Sequence, residues 1–131
     1  GVYRSIQAAL PYLMKRERSR IVTFSSMWGQ VGASCESHYA ASKGAVIALT
    51  QSLAKELGPS GVRVNCVSPG TVLTDMTAVL GQETLDALAE ETPLERNGSP
   101  EDAARAAVFL CSEAADFITG QVVAVNGGYI V

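Results

Sequence analysis

Two short runs rich in β-branched residues, RIVTFS at Arg20–Ser25 and VRVNCVS at Val62–Ser68, limit what this chain can fold into. Both read as buried strands. Between them runs a long helical segment, Tyr39 to Leu57, with Val46, Leu49, Leu53 and Leu57 on one face. Strands separated by helices indicate a parallel sheet with helices on both faces. GPSG stops the segment, and Gly58 is the expected C-cap.

The rest of the chain repeats the alternation. Apolar positions at Val2, Ile6, Ala9, Leu10 and Leu13 predict a helix over residues 2–17, kinked near Pro11. Residues 74–91 predict two short helices over a mobile region. Ser99-Pro100-Glu101-Asp102 has the chemistry of a helix start: a capping serine, a proline in the first turn, and acids facing the helix dipole. That helix should run to about Cys111. GQVVAVNGG reads as a third strand with a glycine exit. In such sheets, ligands sit at the carboxyl ends of the strands. Ser25-Ser26 and Pro69-Gly70 both fall there.

Composition narrows the functional classes. With 131 residues, 47% hydrophobic and 18% charged, the chain can bury one core. A net charge of -3 gives no field for nucleic acid. The basic run KRERSR, Lys15 to Arg20, reads as a solvated helix end. Cys35, Cys66 and Cys111 are an odd, widely spaced set, which suits a reducing compartment and predicts a cytoplasmic protein. His38 is the only histidine, so no metal site is expected. No apolar run is long enough to span a bilayer, and no membrane partner is expected. The chain opens GVYRSIQ already inside a helical pattern, with no capping residue, so a segment upstream is expected to be missing.

One constellation carries chemistry. Tyr39 and Lys43 are four residues apart on a predicted helix and share a face. An ammonium beside a phenol stabilises the phenolate and draws its pKa toward working pH. A tyrosine tuned this way can act as a general acid or base. A serine hydroxyl at a strand end can hydrogen-bond a carbonyl oxygen as charge develops on it. The set suits reduction of a ketone, or oxidation of an alcohol, with a hydride cofactor. The competing reading of the pair alone is a buried ring beside a snorkelling amine.

SS, YAASK, VRVNCVSPGTVLTDM and ITGQVVAVNGG, in that order and at matching intervals, resemble the short-chain dehydrogenase/reductase family over essentially the whole chain. The resemblance implies an α/β fold: the C-terminal half of a Rossmann-type doubly wound sheet, three parallel strands with flanking helices. Residues 1–131 would then be a partial NAD(P)-binding domain lacking the N-terminal half with its Gly-rich cofactor loop. It also implies roles. Ser26, thirteen residues before Tyr39, would orient the carbonyl. Tyr39 would donate the proton and also contact the cofactor. Lys43 would lower the tyrosine pKa and hold the nicotinamide ribose. Pro69, Gly70, Val72 and Thr74 would line the cofactor, with Thr74 equally readable as a helix cap. Ser25 reads as strand-end structure. The family's catalytic asparagine would lie just before Gly1.

The nearest large group that the chain resembles is the 3-oxoacyl-acyl-carrier-protein reductases, which implies NADPH in preference to NADH. The loop with Trp28, Cys35 and Glu36 resembles a narrower set, reductases of a 5-aminopentanone group carried on elongation factor P. Glu36 would attract a cationic amine and repel an acidic carrier, although a solvated loop acid explains it as well. The implied partners are a carbonyl substrate, carried on a protein in that case, and further copies of the full-length chain in a dimer or tetramer. Two other classes stay open: a catalytically inert truncated fragment, and a non-catalytic α/β binding module.

Overall fold

Three strands, β1 (Ser19–Phe24), β2 (Val62–Pro69) and β3 (Val122–Val125), form one parallel sheet with β2 in the middle. The computed structural model describes all 131 residues. Ser19 to Phe24 pair in register with Val62 to Val67, and Cys66 to Pro69 with Val122 to Val125. Six helices accompany the sheet: α1 (Val2–Leu13), α2 (Trp28–Val31), α3 (Ser37–Leu57), α4 (Asp75–Ala78), α5 (Gln82–Glu91) and α6 (Pro100–Cys111).

The two-residue period of β2 sends its side chains to opposite faces. Val62 and Val64 pack with Ile6 of α1 and with Leu53, Ala54 and Leu57 of α3. Val67 packs on the other face with Ala103 and Leu110 of α6. Helices thus cover both faces, as the near-continuous apolar strands require, and the expected α/β parallel sheet with flanking helices is what forms. Each fully buried valine contributes roughly 1.5–3 kcal/mol relative to exposure.

Polar groups inside this core are paired, because an unpaired one would cost the desolvation of a hydrogen-bonding group. The hydroxyls of Thr23 and Thr50 lie 2.7 Å apart, joining β1 to α3. Thr50 also donates to the Val46 carbonyl. Asn65 Nδ2 donates to the Ile118 carbonyl at 2.8 Å, and its Oδ1 accepts from the Gln121 N–H at 3.0 Å. One side chain thereby fixes the entry to β3. At α6, Ser99 Oγ accepts from the Asp102 N–H, as expected of a capping serine, and the Asp102 carboxylate accepts in turn from the Ser99 N–H, which makes a capping box.

Three local expectations need correction and one is refined. First, α1 ends at Leu13 with Pro11 in its last turn, so the basic run lies beyond the helix. Arg18 instead pairs with Glu113 at 3.1 Å, and Arg20 with Asp116 at 3.3 Å. Second, Gly58 is the C-cap of α3 as expected, but it is right-handed and opens a 3-10 turn; the left-handed residue is Gly61, at φ 76°. Third, α3 starts at Ser37, two residues before Tyr39. Fourth, part of the loop after Ser26 is helical, forming α2.

Candidate active site

The site is assembled where the chain leaves β1. The Ser25 N–H donates to the Val67 carbonyl and the Met27 N–H to the Pro69 carbonyl, both at 2.9 Å. The ladder with β2 therefore continues past the strand and holds Ser26 between two fixed points. Both serines are buried, Ser26 at 8% exposure. Ser26 Oγ accepts a 3.3 Å bond from the Trp28 N–H, which leaves its own proton free to donate elsewhere.

The helix α3 is locked against this corner by two contacts at Lys43. Ser25 Oγ donates to the Lys43 carbonyl at 2.8 Å. Gly29 of α2 lies so close that an added Cβ would sit 2.7 Å from the Lys43 carbonyl carbon. Only a glycine lets the two backbones approach in this way. Ser25 is thus strand-end structure with a definite task. Neither the Gly29 contact nor the Ser25 bond is written in sequence spacing, although a glycine three residues after a serine pair was the visible trace.

Tyr39 and Lys43 lie one turn apart in the first part of α3, both half-buried. The Lys43 Nζ is 5.6 Å from the centre of the Tyr39 ring. Neither the Tyr39 hydroxyl nor the Lys43 ammonium has a hydrogen-bond or ion-pair partner within the chain. Neither end is sealed in the core, so both are open to a ligand as well as to water. Chemically, the three can hydrogen-bond a carbonyl oxygen, pass it a proton from a phenol, and place a cation beside that phenol.

The second segment sits at the end of β2. Pro69 closes the strand, and the Gly70 N–H donates to the Val125 carbonyl at 3.0 Å. Val72 bridges to Gly98, and Thr74 precedes α4 in an extended conformation, its N–H donating to Thr77 Oγ1 at 2.9 Å. Thr74 is therefore a helix cap, with its own side chain exposed. A cavity of about 560 Å³ opens beyond Gly70, lined by Thr71, Arg96, Asn126 and neighbouring residues; Ser26, Tyr39 and Lys43 do not line it.

The loop residues separate into two groups. Trp28 opens α2 and is half-buried, its ring edge-on to Tyr129 at 6.0 Å. Cys35 and Glu36 are exposed at the entry to α3, Cys35 in the left-handed region at φ 63°. Glu36 makes no side-chain cap bond to the helix. Behind the site, Cys66 is fully buried on β2, and that burial pushes its thiol pKa up, against smaller opposing effects from Thr23, Ser25 and Lys43. Tyr129 drew no attention in the sequence, because nothing in its spacing links it to Trp28.

The family described as enoyl-(acyl carrier protein) reductase matches residues 1–130. The chain is 46% identical over 128 residues to the 3-oxoacyl-[acyl-carrier-protein] reductase FabG of Aquifex aeolicus, covering 98% of this chain and 52% of that protein. It is 43% identical over 127 residues to the uncharacterized oxidoreductase YmfI of Bacillus subtilis, covering 97% and 52%. A solved short-chain dehydrogenase/reductase (glucose/ribitol dehydrogenase) from Brucella melitensis superposes with a TM-score of 0.93 at 43% identity, covering 99% of this chain and 52% of that one. The 3-oxoacyl-[acyl-carrier protein] reductase from Brucella melitensis gives 0.90 at 38% identity, covering 98% and 49%. The chain spans about half the length of the curated relatives it matches. A match over residues 1–130, with relatives above 40% identity that share this Rossmann-like sheet, places the chain in the short-chain dehydrogenase/reductase family.

Proposed function

We propose that the protein carrying this chain is an NAD(P)H-dependent carbonyl reductase of the 3-oxoacyl-carrier type. The chain supplies its catalytic side chains, and the Gly-rich phosphate loop belongs to the segment of the domain outside residues 1–131. The observation that carries this reading is the lock at Lys43. Ser25 and Gly29 clamp the strand-end corner holding Ser26 against the helix turn holding Tyr39 and Lys43, and the free polar ends stay unpartnered. Those ends are reachable from solvent and so are available to a ligand.

The donor set fits a nicotinamide nucleotide. Lys43 offers an ammonium with no partner, suited to ribose hydroxyls, and Pro69, Gly70, Val72 and Thr74 present an ordered segment at the same strand ends. Such a cofactor, when bound, supplies the hydride. Ser26 donates a hydrogen bond to the carbonyl oxygen of the substrate. Tyr39 passes its phenolic proton to that oxygen, and Lys43 stabilises the phenolate left behind. NADPH is the expected form, on the likeness to the 3-oxoacyl reductases.

Two substrate classes divide on Glu36. It is exposed in the substrate loop and free of a capping bond, which favours an amine-bearing ketone, such as a 5-aminopentanone group on a protein, over an acidic carrier. The test is NADPH oxidation by the complete protein with a 3-oxoacyl thioester and with an amino-ketone, in wild type and Glu36→Gln. Turnover of the thioester, unchanged in Glu36→Gln, supports the acyl class. Loss of amino-ketone turnover in the variant supports the amine class. No oxidation with either removes the reductase reading.

Assembly is read from α1 and α6. Tyr3 and Tyr12 are exposed on α1, and Val108 and Phe109 on α6, which supports a homo-oligomer, a dimer or tetramer, in the complete protein. The three free thiols suit a cytoplasmic location.

A further inference from the structure

The chain after β3 is bent by two successive left-handed glycines, Gly127 at φ 63° and Gly128 at φ 89°. Both are packed, not merely turned. A Cβ on Gly127 would lie 2.5 Å from Thr92 Cγ2, and one on Gly128 would lie 3.0 Å from Pro93 Cγ. Asn126 ties the bend from within, accepting from the Gly128 N–H at 3.0 Å and donating to the Ile130 carbonyl at 2.9 Å. The bend is therefore built, and it aims one side chain. Tyr129 donates its hydroxyl to Glu91 Oε2 at 2.9 Å, the last residue of α5, and sets its ring edge-on to Trp28 at 6.0 Å and 87°.

We propose that Tyr129 is a positioning residue of the carbonyl-reducing site. It ties the end of α5 to the substrate segment and packs on the Trp28 ring, and the backbone N–H of Trp28 donates to the Ser26 hydroxyl oxygen at 3.3 Å. The inference rests on the reductase reading above. Its two contacts have separable consequences. The ring edge acts on Trp28 and so on Ser26, the group facing the carbonyl oxygen. The hydroxyl acts on Glu91, whose only side-chain partner it is, and adds a polar tie to an α5 end that already packs through Thr92 and Pro93 on the glycine bend.

The experiment uses the complete protein and a carbonyl substrate that it turns over, in a Ser26/Tyr129 mutant cycle. Tyr129→Ala is expected to lower kcat about tenfold in the wild-type background and less than about twofold in Ser26→Ala, because displacing a positioned group costs rate only while that group is present. Tyr129→Phe keeps the ring and loses the Glu91 bond, so KM rises about three- to tenfold with kcat nearly unchanged, as for a lost binding contact. Glu91→Ala should match it, with no further rise in the double variant. Trp28 emission, isolated by subtracting a Trp28→Phe blank, should shift to the red in Tyr129→Ala and not in Tyr129→Phe. Equal fractional loss of kcat in both backgrounds, or unchanged Trp28 emission, would overturn the role. If Tyr129→Ala does not fold, the Tyr129→Phe and Glu91→Ala pair decides, and additive KM effects would count against it. Failure of the reductase reading is seen separately, as no NADPH oxidation by the wild-type protein with any carbonyl substrate, and it would take this role down with it.

Discussion

Ser25 Oγ donates a 2.8 Å hydrogen bond to the Lys43 carbonyl, tying a strand end to the helix turn that follows Tyr39. The contact is close because Gly29 leaves the space beside it open. Gly29→Ala would push a methyl into backbone that cannot move aside, and is expected to destabilise by about 1–3 kcal/mol, as for other overpacked sites. Ser25→Ala loses one hydrogen bond and should cost about 1 kcal/mol. Urea melts of the complete protein check both, and the Gly29 variant should lose more than the Ser25 variant.

Tyr39→Phe removes the only phenolic proton on this face of α3. Turnover should fall about 10²–10⁴-fold, the range for a lost general acid. Ser26→Ala should cost about 10²-fold, the lower end for a lost oxyanion-type donor. Cofactor affinity, followed by NADPH fluorescence, should stay within about threefold in both, because neither change removes the Lys43 cation. A large loss of affinity with unchanged kcat would reassign these residues to binding.

Asp102 carries the acid dependence of the α6 start. The Arg96 guanidinium at 2.7 Å, helped by the Ser99 N–H, holds its carboxyl well below the usual carboxylate range. A folded pKa below the unfolded one gives stability that is present above about pH 4 and is lost as pH falls through the folded value. Melting temperature should therefore drop with acid more steeply in wild type than in Asp102→Asn. Parallel acid profiles would show that the ion pair contributes nothing to folding.

The thiols should react in two classes. Cys35 and Cys111 are exposed, whereas Cys66 is buried with its thiol pKa pushed up, so little thiolate is present to react. Iodoacetamide on the folded protein at pH 8 is expected to label Cys35 and Cys111 and spare Cys66 until urea unfolds the sheet. Mass spectrometry of the labelled peptides reads this directly.

The 131-residue chain expressed alone should self-associate. β1 lies at the edge of the sheet, with Phe24 exposed at its end, and an open apolar edge templates strand pairing. Phe24→Lys should reduce the association seen by sedimentation. A clean monomer with a cooperative melt in the unmodified chain would refute the prediction.

Much of this was legible in residues whose role is local. RIVTFS and VRVNCVS announced two strands because β-branched side chains favour a pleated, covered surface, and Ser99 to Asp102 announced a helix start through a capping serine, a first-turn proline and acids facing the dipole. Tyr39 and Lys43 were legible because helical periodicity fixes which residues share a face. Contacts set by tertiary approach were not. The helical turn at Trp28–Val31 forms under packing against α3, and no periodicity in WGQV foretells it. The extent of α1 was misjudged because Lys15 to Arg18 are good helix formers with nothing apolar left to bury. Gly58 was legible as the cap of α3, but the tight turn that follows it, ending at the left-handed Gly61 before Val62, was not.

The placement of β2 between β1 and β3 has a kinetic consequence. Every strand pair is parallel, so no hairpin turn can start the sheet. The side-chain bonds that stitch it span long intervals of chain, 42 residues from Thr23 to Asn65 and 53 from Asn65 to Ile118. Loop-closure entropy must be met before any of those contacts is rewarded. The one local start is α3 followed directly by β2, with Leu53 and Leu57 already beside Val62. Contacts at that junction close over a short stretch of chain, whereas those that seat β3 and the tail that carries Tyr129 close over long ones, 53 residues for Asn65 to Ile118 and 38 for Glu91 to Tyr129.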